Sequence, residues 1–177
     1  MLYLGLARDA AVRAEAHHLE LVDDAALPFV EGNHVFCSIS GADEERGPDG
    51  GRTVTASTHV PMQKLMAMNP IAQGEYVAEV QAAMDRTIAR RAPELAAATV
   101  HRLTASPRTF ARFVGRPGGY VGGPPRVRGI DNYRGMFPSP VRPGLWMVGD
   151  SVFPGQSTLA TAIGGAKVAS LVMKGTR

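Results

Sequence analysis

The sequence predicts a mixed α/β (α+β) fold on three observations. Short β-type runs recur near the N-terminus, one long segment then turns to helical periodicity, and the chain closes on an apolar run, a glycine–aspartate corner and an Ala/Gly-rich helix. With 177 residues, 45% of them apolar and 20% charged, there are enough apolar side chains for a real core.

In chain order, residues 2–6 read as a strand. Residues 18–22, 35–40 and 52–58 follow, the last alternating and β-branched as a half-buried strand requires. Residues 41–51 form a polar hairpin-type loop dense in turn formers. From Glu75 to Arg91, Val77, Val80, Met84 and Ile88 recur on one helical face opposite Glu79, Arg86 and Arg90, and Pro93 is expected to stop the helix. Residues 99–103 read as a strand. Ser106 and Pro107 read as N-cap and first helical residue of a short helix running from Arg108 to Phe113. The glycine- and proline-dense stretch 115–125 suits a segment that wraps a ligand.

In the tail, Leu145 to Val148 is an apolar run expected of a strand buried on both faces. Gly149 allows a tight turn or a close ligand approach. Asp150 projects an acceptor-only carboxylate, suited to sugar or ribityl hydroxyls and hostile to phosphate. Gly155 permits a second turn, and Ser157 or Thr158 can cap the next helix. That helix, Leu159 to Val172, is apolar on nearly all sides and is expected to be buried. Its N-terminal end would stabilise an anion, such as the negative charge a reduced flavin carries on its pyrimidine side. Spacing alone leaves a ligand corner and a purely structural strand–turn–helix equally open.

Several function classes are disfavoured. A net charge of +3 is too small to call for a nucleic-acid partner, so the arginines 102 to 142, interleaved with aromatic residues, read as a solvated loop region. The single cysteine, Cys37, excludes an intramolecular disulfide and reads as a small apolar strand residue in a reducing, cytoplasmic setting. No run approaches the ~20 apolar residues of a membrane span, which leaves peripheral membrane contact open. Adjacent His17 and His18 point to opposite faces of a strand, so no metal site is expected with His34 and His59. Gly149-Asp150-Ser151 is similar to an esterase nucleophile block, but every histidine lies upstream of Ser151, against a serine hydrolase. Met62, Met66 and Met68 either line an apolar channel or fill core gaps.

Taken together, Asp150-Ser151-Val152-Phe153-Pro154-Gly155-Gln156-Ser157-Thr158, the stretch from Ser106 to Gly119, and the segments Ser38-Ile39-Ser40 and Ser57-Thr58-His59-Val60-Pro61 resemble the phytoene desaturase and carotenoid isomerase family. These are amine-oxidase-like, FAD-dependent oxidoreductases. The resemblance implies part of a substrate-domain sheet over residues 1–104, including a helix at about 75–92, and a glycine-rich loop with the last FAD-binding strand–helix unit over 105–177. It implies that Gly149 and Asp150 contact FAD near the ribityl chain and pyrophosphate. Gln156, Ser157 and Thr158 would turn backbone N–H groups toward the flavin, and Gly118, Gly119, Gly122 and Gly123 would lie near flavin or substrate. It assigns no catalytic side chain, because the cofactor takes the hydrogen equivalents. The implied substrate is a lipophilic polyene, desaturated or isomerised. The sequence holds no Gly-x-Gly-x-x-Gly, the fingerprint that grips the ADP half of a dinucleotide. The expectation is therefore a C-terminal portion with half of an FAD site. The alternatives are a non-catalytic remnant or a subunit docking on a separate N-terminal FAD-binding half and, less favoured, another amine-oxidase-like flavoenzyme.

Overall fold

A computed structural model describes residues 1–44, 46–120, 140–152, 155 and 157–175. The chain divides into two compact units, Met1–Gly119 and Tyr120–Arg177. The fold is mixed α/β, as the sequence predicts.

The first unit is built on a five-stranded antiparallel sheet in the order β2-β3-β4-β1-β5. The strands are β1 (Leu2–Leu6), β2 (His17–Val22), β3 (His34–Ile39), β4 (Arg52–Ser57) and β5 (Thr99–Thr104). Period-2 alternation decides what each strand buries. Leu2, Leu4 and Leu6, Val35, Cys37 and Ile39, and Val54 and Ala56 face inward. They meet Met84, Ile88 and Leu95 in one core. Burial pushes the Cys37 thiol up to about 12, with Glu20 adding to the rise, so it is an inert core residue.

The helices are α1 (Met62–Met66), α2 (Pro70–Arg91), α3 (Pro93–Ala98) and α4 (Pro107–Val114). α2 begins earlier than the apolar stripe indicates. Asn69 accepts from the N–H groups of Ile71 and Ala72, each at 3.0 Å, and Pro70 supplies a preset φ at the first position. Its buried face is Tyr76, Val80, Met84, Thr87 and Ile88. Val77 joins Met62 and Met68 around a smaller cluster of Leu65, Tyr76 and Val80. Pro93 does end α2, but it also starts α3, because the ring that breaks a helix interior suits a first turn. α4 carries the expected cap as a full box. Ser106 Oγ accepts from Thr109 N at 3.3 Å, and Thr109 Oγ1 accepts from Ser106 N at 3.1 Å.

Glu31 is the one non-glycine residue with a left-handed backbone (φ 55°) among the described residues. Its Oε1 accepts from Lys64 Nζ at 2.6 Å and from Tyr76 OH at 2.5 Å, tying the β2–β3 loop to α1 and α2. These bonds, Lys64 first, hold its carboxyl below the ordinary value of 4.5. A depressed folded pKa stabilises above the unfolded pKa, and that gain is lost as pH falls through the folded value. Glu31→Gln is expected to cost about 1 kcal/mol at pH 7 and progressively less as the pH is lowered into the acid range, read as urea midpoints. A cost that does not fall with pH would rule out this electrostatic role.

The second unit corrects two expectations. Residues 145–148 do not form a strand buried on both faces. Among the described residues β7 (Leu145–Trp146) pairs only with β6 (Pro140–Arg142), and Leu145, Met147 and Val148 are more than half exposed. A two-stranded ribbon by itself buries little on either face. The final helix, α5 (Thr158–Gly175), is not a buried one: only Gly164 and Val168 are buried, while Leu159 and Met173 are each 71% exposed. Apolar composition reports what a helix is able to bury, not how much of it is covered.

Candidate functional site

The site candidates in the second unit lie at two turns along the chain, one at Gly149 and one leading into α5. Gly144 (φ 76°) turns β6 into β7, and Gly149 follows at φ 135°. An added Cβ on Gly149 would meet no atom within 4 Å, so conformation alone demands glycine there, and its outer side is open. Val152 N donates to Gly149 O at 3.2 Å, closing the turn. The half-buried Asp150 sits within this turn, and its Oδ1 accepts from Ser151 Oγ at 3.3 Å.

The chain then turns at Gly155 (φ 80°) into α5. Ser157 is the cap: its Oγ accepts from Ala160 N at 3.0 Å, and its carbonyl accepts from Thr161 N at 2.8 Å. Ser157 N donates back to Gly155 O at 2.8 Å. Among the described residues, the N–H groups of Thr158 and Leu159 take no protein acceptor, and they carry the positive end of the helix. The first turn thus offers a carboxylate that can accept from hydroxyl donors, and the second a helix end suited to partial negative charge.

Gly149 and Asp150 therefore stand at one turn, and Ser157 and Thr158 at the start of α5. Gln156 lies outside the described residues, as do Gly122 and Gly123. Gly118 and Gly119 belong to the first unit, in left-handed turns (φ 70° and 69°) directly after α4. There Gly119 runs so close to the start of α4 that an added Cβ would fall 1.9 Å from Pro107 O. The need for glycine at 119 is thus already explained by packing. Sequence reasoning missed the Leu159 N–H. The signal for it was available, since a Ser157 cap fixes which first-turn donors stay open.

Other candidates resolve simply. Among the described residues no group of three His, Cys, Asp or Glu side chains converges to hold a metal. His34 pairs with Glu20 and stacks on Phe29. Met62 and Met68 pack against core, whereas Met66 is exposed. Among the described residues no helix is long and apolar enough to cross a membrane.

Two curated proteins are similar to this chain over most of its length. One is the chloroplastic prolycopene isomerase of Daucus carota, 27% identical over 177 residues, covering 97% of this chain. The other is the chloroplastic prolycopene isomerase of Arabidopsis thaliana, 29% identical over 163 residues, covering 89% of this chain. The chain spans 28% and 27% of the length of these relatives. No protein-family model matches it.

Proposed function

We propose that this chain supplies the flavin-facing C-terminal portion of an FAD-dependent oxidoreductase acting on carotenoid-type polyenes, by isomerisation or desaturation. The observation that carries the reading is the similarity to two prolycopene isomerases along nearly the whole chain, at the distant level of 27–29% identity. The two turns support it by fit. Gly149 leaves open space where a cofactor chain must pass closely, and Asp150 offers an acceptor for ribityl hydroxyls. The open N–H groups of Thr158 and Leu159 suit the electron-rich edge of a flavin ring. FAD, when bound, takes up the hydrogen equivalents. The residues of this chain bind and orient it.

A second reading, a subunit docking on a separate FAD-binding half, is favoured by the exposed apolar side chains of α5, Leu159, Ile163 and Met173. The test is FAD titration of the purified chain, followed by flavin fluorescence. Weak, saturable binding is expected, with Asp150→Ala weakening it by about tenfold or more, the worth of a hydrogen bond to a charged group. An unchanged titration removes the role given to Asp150. No binding by the chain, but binding on addition of an FAD-binding half, supports the docking reading.

A further inference from the structure

The sheet of the first unit ends on β5, which pairs with β1 on one side and, among the described residues, with no strand on the other. The hydrogen bonds at its end decide which backbone groups that leaves open. Ala105 N donates to Met1 O at 3.0 Å, and the Met1 amino group donates to Ala105 O at 2.9 Å. In an antiparallel ladder such doubly bonded pairs alternate with unbonded ones. Leu2 stands opposite Thr104, Tyr3 opposite Leu103 and Leu4 opposite Arg102. The backbone of Leu103 therefore bonds to β1, while the N–H and C=O groups of Arg102 and Thr104 point outward. Among the described residues these four groups take no protein partner.

Edge strands are ordinarily guarded by lysine, proline, a projecting charge or a bulge. Residues 101–104 contain no lysine or proline. The Arg102 guanidinium is drawn back onto Asp85 of α2 by bonds of 3.2 and 2.7 Å, and the bulge in the β1–β5 register lies beyond His101. On the sheet face away from α2, Leu103 stands beside Tyr3, and the two are 57% and 38% exposed.

A bare edge of this kind accepts an extended strand, and its register decides which strand fits. When two β5 strands pair antiparallel about a two-fold axis, outward groups must meet outward groups. An axis at Arg102 sets two arginines directly opposite, which is destabilising. An axis at His101 brings the bulge into the ladder, and one at Thr104 runs the ladder into the Ser106 cap of α4. An axis at Leu103 sets Arg102 of each copy opposite Thr104 of the other. Both pairs then exchange their N–H and C=O bonds, and no like charges face each other. The two Leu103 side chains meet in the central unbonded pair, where opposing side chains come closest. Tyr3 of each copy flanks them on the same face.

We propose that two copies of this chain pair through β5, joining their five-stranded sheets into one continuous sheet centred on Leu103. The contact is small, so the dimer forms at micromolar and not nanomolar concentrations.

The experiment is sedimentation velocity of the full chain over a concentration series, with amide hydrogen exchange measured at its two ends. A monomer–dimer equilibrium is expected, in which the Arg102 and Thr104 amides exchange freely in the dilute monomer and are protected in the dimer. Leu103→Lys puts like charges on the axis and removes a leucine from each copy, and should weaken the dimer about a hundredfold. Thr104→Pro removes one outward donor per copy without breaking the β1 ladder, and should weaken it about tenfold. Both side chains are exposed, so far-UV circular dichroism and the urea midpoint should be unchanged. A chain that stays monomeric across the series overturns the proposal, as does a Leu103→Lys variant that associates like the native chain. A dimer in which the Arg102 and Thr104 amides stay unprotected overturns it by assigning the contact to another face. Protection of both amides in the dilute monomer overturns it as well, by assigning the edge to another segment of the same chain.

Discussion

Gly32→Ala is expected to destabilise the first unit by about 3 kcal/mol, through backbone strain and overpacking together. Gly32 sits in the loop between β2 and β3 with φ 90°, a conformation that L side chains rarely adopt. A Cβ there would fall 2.7 Å from Ala83 Cβ and 2.8 Å from Met84 N. Those atoms belong to the middle of α2, and Met84 is fully buried, so the helix has nowhere to retreat. Nor is the loop free to lift away. Gly32 N donates to Thr58 Oγ1 at 3.0 Å, and the buried Thr87 Oγ1 donates to Gly32 O at 2.6 Å. Any shift that relieves the clash breaks one of these bonds. Gly74→Ala supplies the control of opposite sign. Gly74 lies inside α2 with no atom within 4 Å of an added Cβ, so alanine there should stabilise by up to about 1 kcal/mol. Urea unfolding followed by circular dichroism reads both. A Gly32→Ala loss below about 1 kcal/mol would contradict the close approach of loop and helix.

That contrast shows what the sequence makes legible. The strands were legible because alternation is local: Thr53, Thr55 and Ser57 face out while Val54 and Ala56 face in. The cap of α4 was legible because Ser106-Pro107 is a local start signal, and Ser157 was a candidate cap for the same reason. Gly149 and Gly155 read correctly as turn glycines, since their left-handed φ values depend on their own residues. What could not be read was set by distant partners. The order β2-β3-β4-β1-β5 places the first strand between the fourth and fifth, a pairing that no local pattern encodes. Gly32 looks like any loop glycine until α2 is laid beside it. The exposure of α5 was misread because an apolar helix carries no information about the surface that covers it. At the two candidate turns, sequence marked which residues allow a close ligand. It did not show that the Ser157 N–H is already bonded to Gly155 O, nor that the Leu159 N–H is open.

Arg52→Met is expected to cost about 3 kcal/mol, although methionine approximates the arginine stem and removes a buried charge. Arg52 stands on the inward face of β4, opposite Leu6 of β1, and is 4% exposed. Its guanidinium hydrogen-bonds to the backbone carbonyls of Ser40, Val12 and Arg13. Nε donates to Ser40 O at 2.9 Å, joined there by Nη2. Nη1 donates to Arg13 O at 2.7 Å and to Val12 O at 3.2 Å. One planar fork thus holds the end of β3 and the segment before β2 to the sheet. Replacing a buried ion pair by apolar residues can be neutral, because both partners leave together. Here only the donor leaves, and three carbonyls lose their shared partner where water reaches them poorly. Lysine should fail to rescue, since a single ammonium cannot span acceptors that the fork reaches with three nitrogens. The sharper readout is local. Residues 10–14 have few other ties, among them Ala42 N to Ala14 O at 2.8 Å, so limited proteolysis should open near Arg13 in Arg52→Met before the sheet unfolds. A protease-resistant Arg52→Met with an unchanged urea midpoint would show that the fork contributes nothing to holding this segment, leaving the burial of its charge without a stabilising return.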